Sequence, residues 1–357
     1  MITIPIEHPG ARYDILVGPV SAGLDRIVTL KPPAARLPVI SDEQVYSLHG
    51  DRLQIDGLFP ILVPRGEAAK QWPVLERVIE ELAAMGATRS TPIIAFGGGS
   101  VGDVAGLAAS LFKRGCPIVH IPTTLLAQVD SAIGGKTAID ACSQKNLVGT
   151  FHHPALVLAD PSFFHTLDAR QIRSGYAEIV KYGLIDDSSF FDWCEANGHA
   201  VVDGEAEARR YAIAHCIRAK ARFVSADPMD LQGTRALLNF GHSFGHAIEA
   251  LTGNDLPHGE AVAIGMVLAF RFSSGLGLCP DEDADRVVDH LRTFRLPTNL
   301  PEVGLAPCAD EIMQLIRADK KAQAGAISLV LTRGIGKAFL AREVDARELH
   351  SFLSSQF

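Results

Sequence analysis

The first part of the chain alternates short apolar runs with helical patterns. Apolar residues recur at helical spacing from Val74 to Met85, and Gly86 stands where such a helix would end. A second helix is predicted from Val101 to Phe112, directly after a glycine run. Strands that alternate with helices predict a parallel α/β sheet. The runs that indicate buried strands are RLPVISD, LFPILVPRG, TPIIAFGGG, CPIVHIPTT and PALVLADP.

Beyond about Leu167 helical patterns dominate. Near the end, AISLVL and KAFLA flank the turn at 332–336 and predict a hairpin. We therefore predict an α/β domain over residues 1–170 and a mainly helical domain over residues 171–357. The segments that fit helices are 175–184, 205–224, 235–251, 260–275 and 283–294.

Composition narrows the class of protein. The 357 residues are 47 % hydrophobic and 21 % charged, which is typical of a folded enzyme. A formal net charge of -8 argues against nucleic acid or an anionic membrane as a partner, because both are held mainly by clustered Lys and Arg. The chain has neither a signal-peptide pattern nor an apolar run near the ~20 residues of a membrane span, so we expect a cytoplasmic protein. The six scattered cysteines are expected to be reduced and packed as small apolar groups.

A glycine run joins a predicted strand to a predicted helix. In Gly97–Asp103, glycines would let backbone amides approach a pyrophosphate at the helix N-terminus. The spacing differs from GxGxxG, and ordinary turn chemistry is an equal alternative. Thr123–Thr124 and Asp42 also follow strands, so polar groups would gather at the sheet edge where α/β proteins bind ligands. For Asp42, the role of an ordinary turn aspartate is equally compatible with the sequence.

Three histidines stand close together in the helical part. His242 and His246 are four residues apart and share a helix face, and His258 follows soon after. Such a group favours a metal site over the usual hydrogen-bonded core histidine. Catalytic zinc commonly has three protein ligands, so one carboxylate is expected beside two histidines. The candidates that spacing leaves open are Glu178, Glu249 and Glu260; Glu178 could instead form a surface ion pair with Lys181.

Cationic residues supply candidates for binding an anion. Lys136 and Lys145–Asn146 occupy a loop-like stretch rich in glycine. A ligand that carries both a phosphate and a carboxylate would require several cations. Each of these residues alone, however, is typical of a solvent-exposed surface position. The others are Arg114, Lys181, Lys220, Arg235, Lys320 and Lys321.

Several blocks of the sequence resemble the 3-dehydroquinate synthases, within the sugar phosphate cyclase superfamily. The resemblance covers nearly the whole chain, and IPTTLLAQVDSAIGGKTAID and RALLNFGHSFGHAIE are its most specific blocks. The remaining blocks are GGGSVGDVAG, RG at 114–115, KNLVG, GYAEIVKYG and HGEAVAIGM. Two departures are Gln144, where the family has glycine, and a segment 227–235 that is one residue longer.

The resemblance implies a Rossmann-like N-terminal domain that binds NAD and a helical C-terminal domain that binds zinc or cobalt, in a homodimer. It implies that Glu178, His242 and His258 bind the metal, while His246 transfers protons rather than binding metal with His242. The positions that match cofactor contacts are Asp42, Glu67, Lys70, Gly98, Gly99, Asp103, Thr123, Thr124, Lys136, Lys145, Phe163, Thr166 and Leu167. Those that match the substrate pocket are Asp130, Lys136, Lys145, Asn146, Lys181, Lys220, Arg235, Asn239 and Lys320, with Arg114 reaching the phosphate from the partner subunit.

The activity implied is conversion of 3-deoxy-D-arabino-heptulosonate 7-phosphate to 3-dehydroquinate and phosphate, the second step of the shikimate pathway. It would proceed by transient oxidation with NAD, phosphate elimination, re-reduction and intramolecular aldol closure. The alternatives are another sugar phosphate cyclase of the valiolone or deoxy-inosose type, and an iron-type glycerol or alcohol dehydrogenase. A metal-binding module without catalysis would leave the nucleotide edge and the cations without a purpose.

Overall fold

The computed structural model describes residues 1–8, 10–32, 36–142, 144–230, 233–253, 255–319 and 327–357. Its contacts group the chain into two compact units. The first unit comprises residues 1–168 and 209–229, and the second comprises residues 169–208 and 230–357. The domain boundary at residue 170 stays a prediction.

Strands and helices alternate early in the chain, and helices predominate later. The strands are β1 (Ile2–His8), β2 (Ala11–Val17), β3 (Leu37–Asp42), β4 (Leu58–Val63), β5 (Ile93–Gly97), β6 (Ile118–Pro122), β7 (Lys136–Ala141), β8 (Gln144–Phe151), β9 (Leu156–Ala159), β10 (Ile327–Thr332) and β11 (Ala338–Val344). The α-helices are α1 (Leu24–Leu30), α2 (Glu43–His49), α3 (Trp72–Ala84), α4 (Gly99–Leu111), α5 (Ala169–Asp186), α6 (Ser188–Asp203), α7 (Ala206–Ala226), α8 (His242–Leu251), α9 (His258–Gly275), α10 (Asp281–Thr293), α11 (Ala309–Asp319) and α12 (Ala346–Ser354).

The first unit is built on a seven-stranded sheet in the order β1-β2-β9-β6-β5-β3-β4. All neighbouring pairs are parallel except β1 with β2. Strands β3, β5, β6 and β9 are buried along their whole length, as continuous apolar runs in a covered parallel sheet should be. The predicted Rossmann-like α/β fold is confirmed, and all five predicted strands are present.

Helices α3 and α4 pack against this sheet. In α3, Leu75, Val78 and Leu82 face the core, and Gly86 follows the helix with φ +78°, a left-handed conformation that glycine adopts without strain. Helix α4 is more deeply buried, since both its apolar and its small residues lie in the core. The helix that the glycine run predicted therefore begins directly at that run.

The second unit is mainly helical, as predicted, and two close contacts determine its packing. A Cβ on Gly259 would lie 1.9 Å from the carbonyl oxygen of Ser174, so only glycine lets α9 approach α5 here. A Cβ on Gly265 would lie 2.0 Å from the carbonyl oxygen of Gly241, which brings α9 close to the start of α8. These glycines place the N-terminal ends of α8 and α9 beside the middle of α5. The predicted hairpin is present as the antiparallel pair β10 and β11.

Two sequence predictions of local structure are wrong. Residues 235–251 do not form one helix, because Gly241 has φ +79° and separates a 3-10 helix (Arg235–Asn239) from α8. The stretch around Lys136 and Lys145 is not a loop but the antiparallel hairpin of β7 and β8. Its alternating buried positions, Thr137 and Ile139, are the signal that the glycine content obscured. The elements that were not predicted include the hairpin of β1 with β2 and the helices α1, α2, α6, α11 and α12.

Among the described residues, no helix combines the length and apolar composition required to cross a membrane. The cysteines are free thiols, and Cys116, Cys194, Cys216 and Cys308 are buried, in keeping with the packing role that the sequence predicts.

Candidate active site

The carboxyl ends of the parallel strands collect polar residues at one edge of the first unit's sheet. The chain passes from β3 to β4 on one side of β3 and then returns to β5 on its other side, so the strand order reverses between β3 and β5. Open α/β sheets bind ligands at such a switch point. Asp42 ends β3, Gly97 ends β5, and Thr123 follows β6. Asp42 also caps α2, because its Oδ1 accepts the N–H of Val45 at 3.0 Å.

The start of helix α4 is suited to an anion. Its N-cap residue is Gly98, so no side chain caps the N–H groups of the first turn. A Cβ on Gly98 would lie 3.2 Å from Thr124, and one on Gly99 would lie 3.0 Å from Ser131 Oγ, so the glycines permit a tight turn. Thr123 Oγ1 is buried and has no hydrogen-bond partner among the described residues. These donors fit the pyrophosphate of a dinucleotide.

A buried lysine lies beside this turn. Lys70 Nζ donates to Asp103 Oδ2 at 2.8 Å and to the side-chain oxygen of Asn146, and it lies 3.7 Å from Glu67. Burial opposes the charge on Lys70, but the surrounding carboxylates raise its pKa. Burial raises the pKa of Asp103 to about 6, a shift that the Lys70 ammonium opposes. The carboxylates thus keep Lys70 charged although its side chain is buried.

The remaining cofactor candidates follow β9 in a 3-10 helix (Pro161–Thr166). Phe163 is buried, and its ring packs edge-on against Phe96 with centroids 5.5 Å apart. Thr166 Oγ1 is hydrogen-bonded to His49 Nε2 at 2.8 Å, and Leu167 follows directly. These residues also lie at the carboxyl end of a strand, as the cofactor assignment requires.

In the second unit, Glu178, His242 and His258 converge. The nearest ligand atoms of Glu178 are 3.6 Å from His242 Nε2 and 3.5 Å from His258 Nε2, and the three ligand atoms lie within 4.8 Å of one another. Ligands on a tetrahedral zinc with bonds of ~2.1 Å lie roughly 3.4 Å apart. The spacing therefore fits a single divalent cation at the centre. The glycine contacts of α9 with α5 and α8 create this convergence.

The hydrogen bonds of the two imidazoles direct their Nε2 atoms to the same point. His242 Nδ1 donates to the carbonyl oxygen of Phe240 at 3.1 Å, which leaves the lone pair on Nε2. His258 Nδ1 lies 3.4 Å from Glu249 Oε1. A carboxylate or carbonyl behind a ligating histidine is the usual arrangement in zinc proteins.

The electrostatics of the cluster also favour a cation. Burial lowers the pKa of His242 to about 3, and nearby Lys181 adds to this effect. Burial acts in the same direction on His258, but its contacts with Glu178 and Glu249 outweigh burial and raise its pKa to about 10. Two carboxylates thus attract positive charge to the point where the imidazole nitrogens meet. A metal ion would supply this positive charge and would displace the proton of the His258 ring.

The other candidates in this region have different neighbours. The half-buried His246 ring lies 5.5 Å from the His242 ring and 6.1 Å from the His258 ring. With Glu249 and His258, His246 forms a second group whose ligand atoms meet the same 4.8 Å spacing. Glu260 instead accepts two hydrogen bonds from Arg170, at 2.7 and 2.8 Å.

Comparison with known proteins identifies the family. Residues 60–174 match the family model for the 3-dehydroquinate synthase N-terminal domain, and residues 175–322 match the model for its C-terminal domain. The chain belongs to the 3-dehydroquinate synthase family. A 3-dehydroquinate synthase of Zymomonas mobilis is 46 % identical over 99 % of this chain and 96 % of its own length. One of Caulobacter vibrioides is 45 % identical, with 98 % of each chain covered.

Solved structures place the 3-dehydroquinate synthase fold among its relatives. A 2-epi-5-epi-valiolone synthase from Streptomyces hygroscopicus, with NAD⁺ and Zn²⁺ bound, is 33 % identical, with a TM-score of 0.87 and 96 % of each chain covered. A 2-deoxy-scyllo-inosose synthase complexed with carbaglucose-6-phosphate, NAD⁺ and Co²⁺ is 26 % identical over the whole of both chains, with a TM-score of 0.87. A probable glycerol dehydrogenase from Sinorhizobium meliloti, 13 % identical with a TM-score of 0.67 over 96 % of each chain, shares the fold alone.

The structure also locates the residues that the 3-dehydroquinate synthase resemblance assigns to the substrate. In the first unit, Lys220 Nζ donates to both the side chain and the backbone carbonyl of Asp130, at 2.7 Å each. Lys136 and Asn146 are exposed on the hairpin, and Lys145 is half-buried.

The second unit holds three more of these residues. Arg235 is buried at the start of its 3-10 helix, and Asn239 is exposed at the end of that helix. Lys181 is buried and forms an ion pair with Glu178, so the alternative of a surface pair does not hold. Lys320 and Lys321 lie outside the described residues.

Sequence reasoning missed two groups near the site. Asp140 was not singled out, although it contacts both Asn146 and Lys70. Arg170 was not singled out, although it engages one of the candidate metal carboxylates. Arg170 is far in the chain from Glu260, and Asp140 is far from Lys70. No regular spacing in the sequence therefore indicates these contacts.

Proposed function

We propose that the chain is a 3-dehydroquinate synthase, which converts 3-deoxy-D-arabino-heptulosonate 7-phosphate to 3-dehydroquinate and phosphate in the shikimate pathway. The observation that carries this proposal is the convergence of Glu178, His242 and His258 on one point in a member of that family. Relatives with this name are 44–46 % identical over nearly the whole chain.

The metal site consists of Glu178, His242 and His258. This group is preferred to the one containing His246, because Glu178 is fully buried and both imidazoles have an acceptor behind the opposite ring nitrogen. A bound divalent cation would make a coordinated substrate hydroxyl easier to deprotonate. His246, half-buried beside this group, is then available to transfer a proton.

The NAD site occupies the edge at the switch point of the first unit's sheet. The first turn of α4 offers N–H groups to the pyrophosphate, and Thr123 Oγ1 offers a buried polar atom. Asp42, Lys70 and Asp103 lie at or beside the same edge. Bound NAD would supply reversible oxidation of the substrate alcohol, with no net redox change.

The substrate's two anionic groups require separate cations. Lys136, Lys145 and Asn146 bind the phosphate, and they share one hairpin in the first unit. Arg235 binds the carboxylate, because a buried guanidinium can donate two parallel hydrogen bonds to it. Lys220, held by Asp130, assists with the carboxylate. The ring closes by an intramolecular aldol step for which the protein mainly holds the geometry.

We also propose a cytoplasmic homodimer in which Arg114 serves the partner's phosphate site. Lys113, Arg114 and Gly115 have φ of +51°, +62° and +109° in succession, so a strained turn projects the exposed Arg114 away from the core. The resemblance to the family supports the dimer, and the turn supports the reach of Arg114.

A valiolone-type cyclase is the second candidate, since the S. hygroscopicus structure superposes closely. The two candidates differ in the substrate carboxylate. Phosphate release should be measured with the heptulosonate phosphate and with sedoheptulose 7-phosphate, which lacks that carboxylate. Removing a hydrogen bond to a charged group costs roughly 1.5–3 kcal/mol, so Arg235→Ala should lower kcat/KM for the heptulosonate at least about tenfold. If the unmodified protein released phosphate equally well from both substrates, the protein would instead be assigned as a valiolone-type cyclase.

A further inference from the structure

The hairpin of β7 and β8 contains an irregularity where Asp140 stands. The antiparallel register shifts between Ile139 and Ala141, so Asp140 falls at a bulge. A bulge redirects a side chain out of the regular alternation, and these features often lie near functional sites. Here the redirected side chain faces the segment that carries Lys145 and Asn146.

The backbone of Asn146 depends on that side chain. Asn146 has φ +55°, in the left-handed region that residues other than glycine rarely occupy. Its N–H donates to Asp140 Oδ1 at 2.8 Å. A charged acceptor makes this bond stronger than one between neutral groups, and the bond holds the left-handed turn. Lys145 directly precedes Asn146 in β8, so the same bond constrains the backbone beside it.

Asp140 is also joined to the buried lysine beside the cofactor edge. Its backbone N–H donates to the carbonyl oxygen of Lys70 at 2.8 Å, and its Oδ1 lies 4.0 Å from Lys70 Nζ. Lys70 Nζ in turn contacts the side chains of Asn146 and Asp103, and its side chain is only 4 % exposed. Asp140 therefore connects the hairpin to Lys70, which contacts Asp103 of α4.

We propose that Asp140 is a positioning residue for phosphate binding: it holds Lys145 and Asn146 in the conformation that receives the phosphate group and anchors them to Lys70. This inference rests on the proposed function and extends it to a residue that touches no substrate atom. The acceptor oxygen holds the turn, so an amide at position 140 can replace the carboxylate in this bond.

The test compares Asp140→Ala, Asp140→Asn and the control Gln144→Ala, an exposed position on the same hairpin. In the metal- and NAD-loaded protein, Asp140→Ala should raise KM for the heptulosonate phosphate about tenfold or more, with kcat within about threefold. Asp140→Asn and Gln144→Ala should stay within about threefold of wild type in KM. Thermal unfolding and NAD titration accompany each variant, because a merely structural role would lower stability and kcat without separating KM from kcat.

The inference is overturned if Asp140→Ala leaves KM unchanged, or if Asp140→Asn is as impaired as Asp140→Ala. If Asp140→Ala does not fold, Asp140→Ser replaces it, since it also removes the carboxylate oxygen that accepts the Asn146 N–H. Binding of inorganic phosphate to the same loaded proteins gives a readout that needs no turnover. If wild type releases no phosphate from the heptulosonate, the proposed function fails, and phosphate binding alone then decides the role of Asp140.

Discussion

In the first unit, the ammonium of Lys70 faces Asp103, Glu67 and Asp140, whereas in the second unit Glu178 and Glu249 face a set of imidazoles together with Lys181. In the first cluster, the positive charge that the carboxylates face is the ammonium of Lys70 itself. The second directs the Nε2 atoms of His242 and His258 to one point beside buried carboxylates, an arrangement that suits an added cation. One unit thus holds an ion-pair cluster around a buried lysine, and the other holds a candidate metal site around a buried glutamate.

The largest expected effect comes from removing a metal ligand. His242→Ala should abolish metal binding and lower turnover at least about a thousandfold, because a cation contributes several kcal/mol to stabilising charge and each 1.4 kcal/mol is about tenfold. Glu178→Gln should lose turnover equally and also lower stability by roughly 3–5 kcal/mol, since it takes the carboxylate away from buried Lys181.

The measurements are metal content, phosphate release and thermal unfolding of both variants. NAD titration is the control. Both substitutions lie outside the Lys70 cluster of the first unit, so the protein should keep its affinity for NAD. Normal turnover by a His242→Ala preparation shown to be free of metal would break the contrast between the two clusters.

A smaller effect is expected at Glu249. Since it lies behind His258 rather than at the metal point, Glu249→Ala should weaken metal affinity about 10–100-fold without abolishing binding. Glu249→Gln keeps an acceptor oxygen and should lose less affinity. Competition with a chelator measures both. Complete loss of metal in Glu249→Gln would instead make Glu249 a direct ligand, together with His246 and His258.

The smallest effect should be shared by the two units. Burial lowers the pKa of His120 in the first unit and of His290 in the second to about 4 each. Below about pH 6.5 the unfolded chain takes up protons that these folded histidines do not. Each therefore contributes stability that is complete above pH 6.5 and is lost toward pH 4, at most about 3 kcal/mol per histidine.

Thermal unfolding between pH 7 and pH 4 tests this effect. His120→Gln and His290→Gln should each flatten the loss of stability with falling pH, relative to the exposed control His165→Gln. If all three variants keep the wild-type slope, the buried histidines do not account for it, and the two units do not share this property.

The sequence predicted the elements whose signal is local. The apolar residues of α3 recur at helical spacing, and the glycine run directly precedes α4. Because neighbouring strands are parallel, Asp42 and Thr123 must lie at the same edge of the sheet. The spacing of His242 and His246 indicated a metal site, whereas the resemblance implies that His242 and His258 are the ligands, and that assignment stays a prediction. Sequence spacing also left Glu178, Glu249 and Glu260 equivalent, because the choice depends on how closely α9 approaches α5.

The missed features depend on contacts that no periodicity reveals. Gly241 breaks the predicted helix because its left-handed backbone lies against Gly265, a neighbour from another helix. Asp140 acts through a bulge and through the backbone of Lys70, which is distant in the chain. Such contacts follow from tertiary packing, so a pattern along one chain does not predict them.

We infer that a metal site and an NAD site together serve a phosphate elimination with no net oxidation. The most direct measurement follows phosphate and NADH together, with the metal-loaded protein, heptulosonate phosphate in excess and NAD in far smaller amount. We expect released phosphate to exceed total NAD many times over while NADH does not accumulate. One NADH formed for each substrate consumed, with no phosphate released, would contradict it and indicate a dehydrogenase.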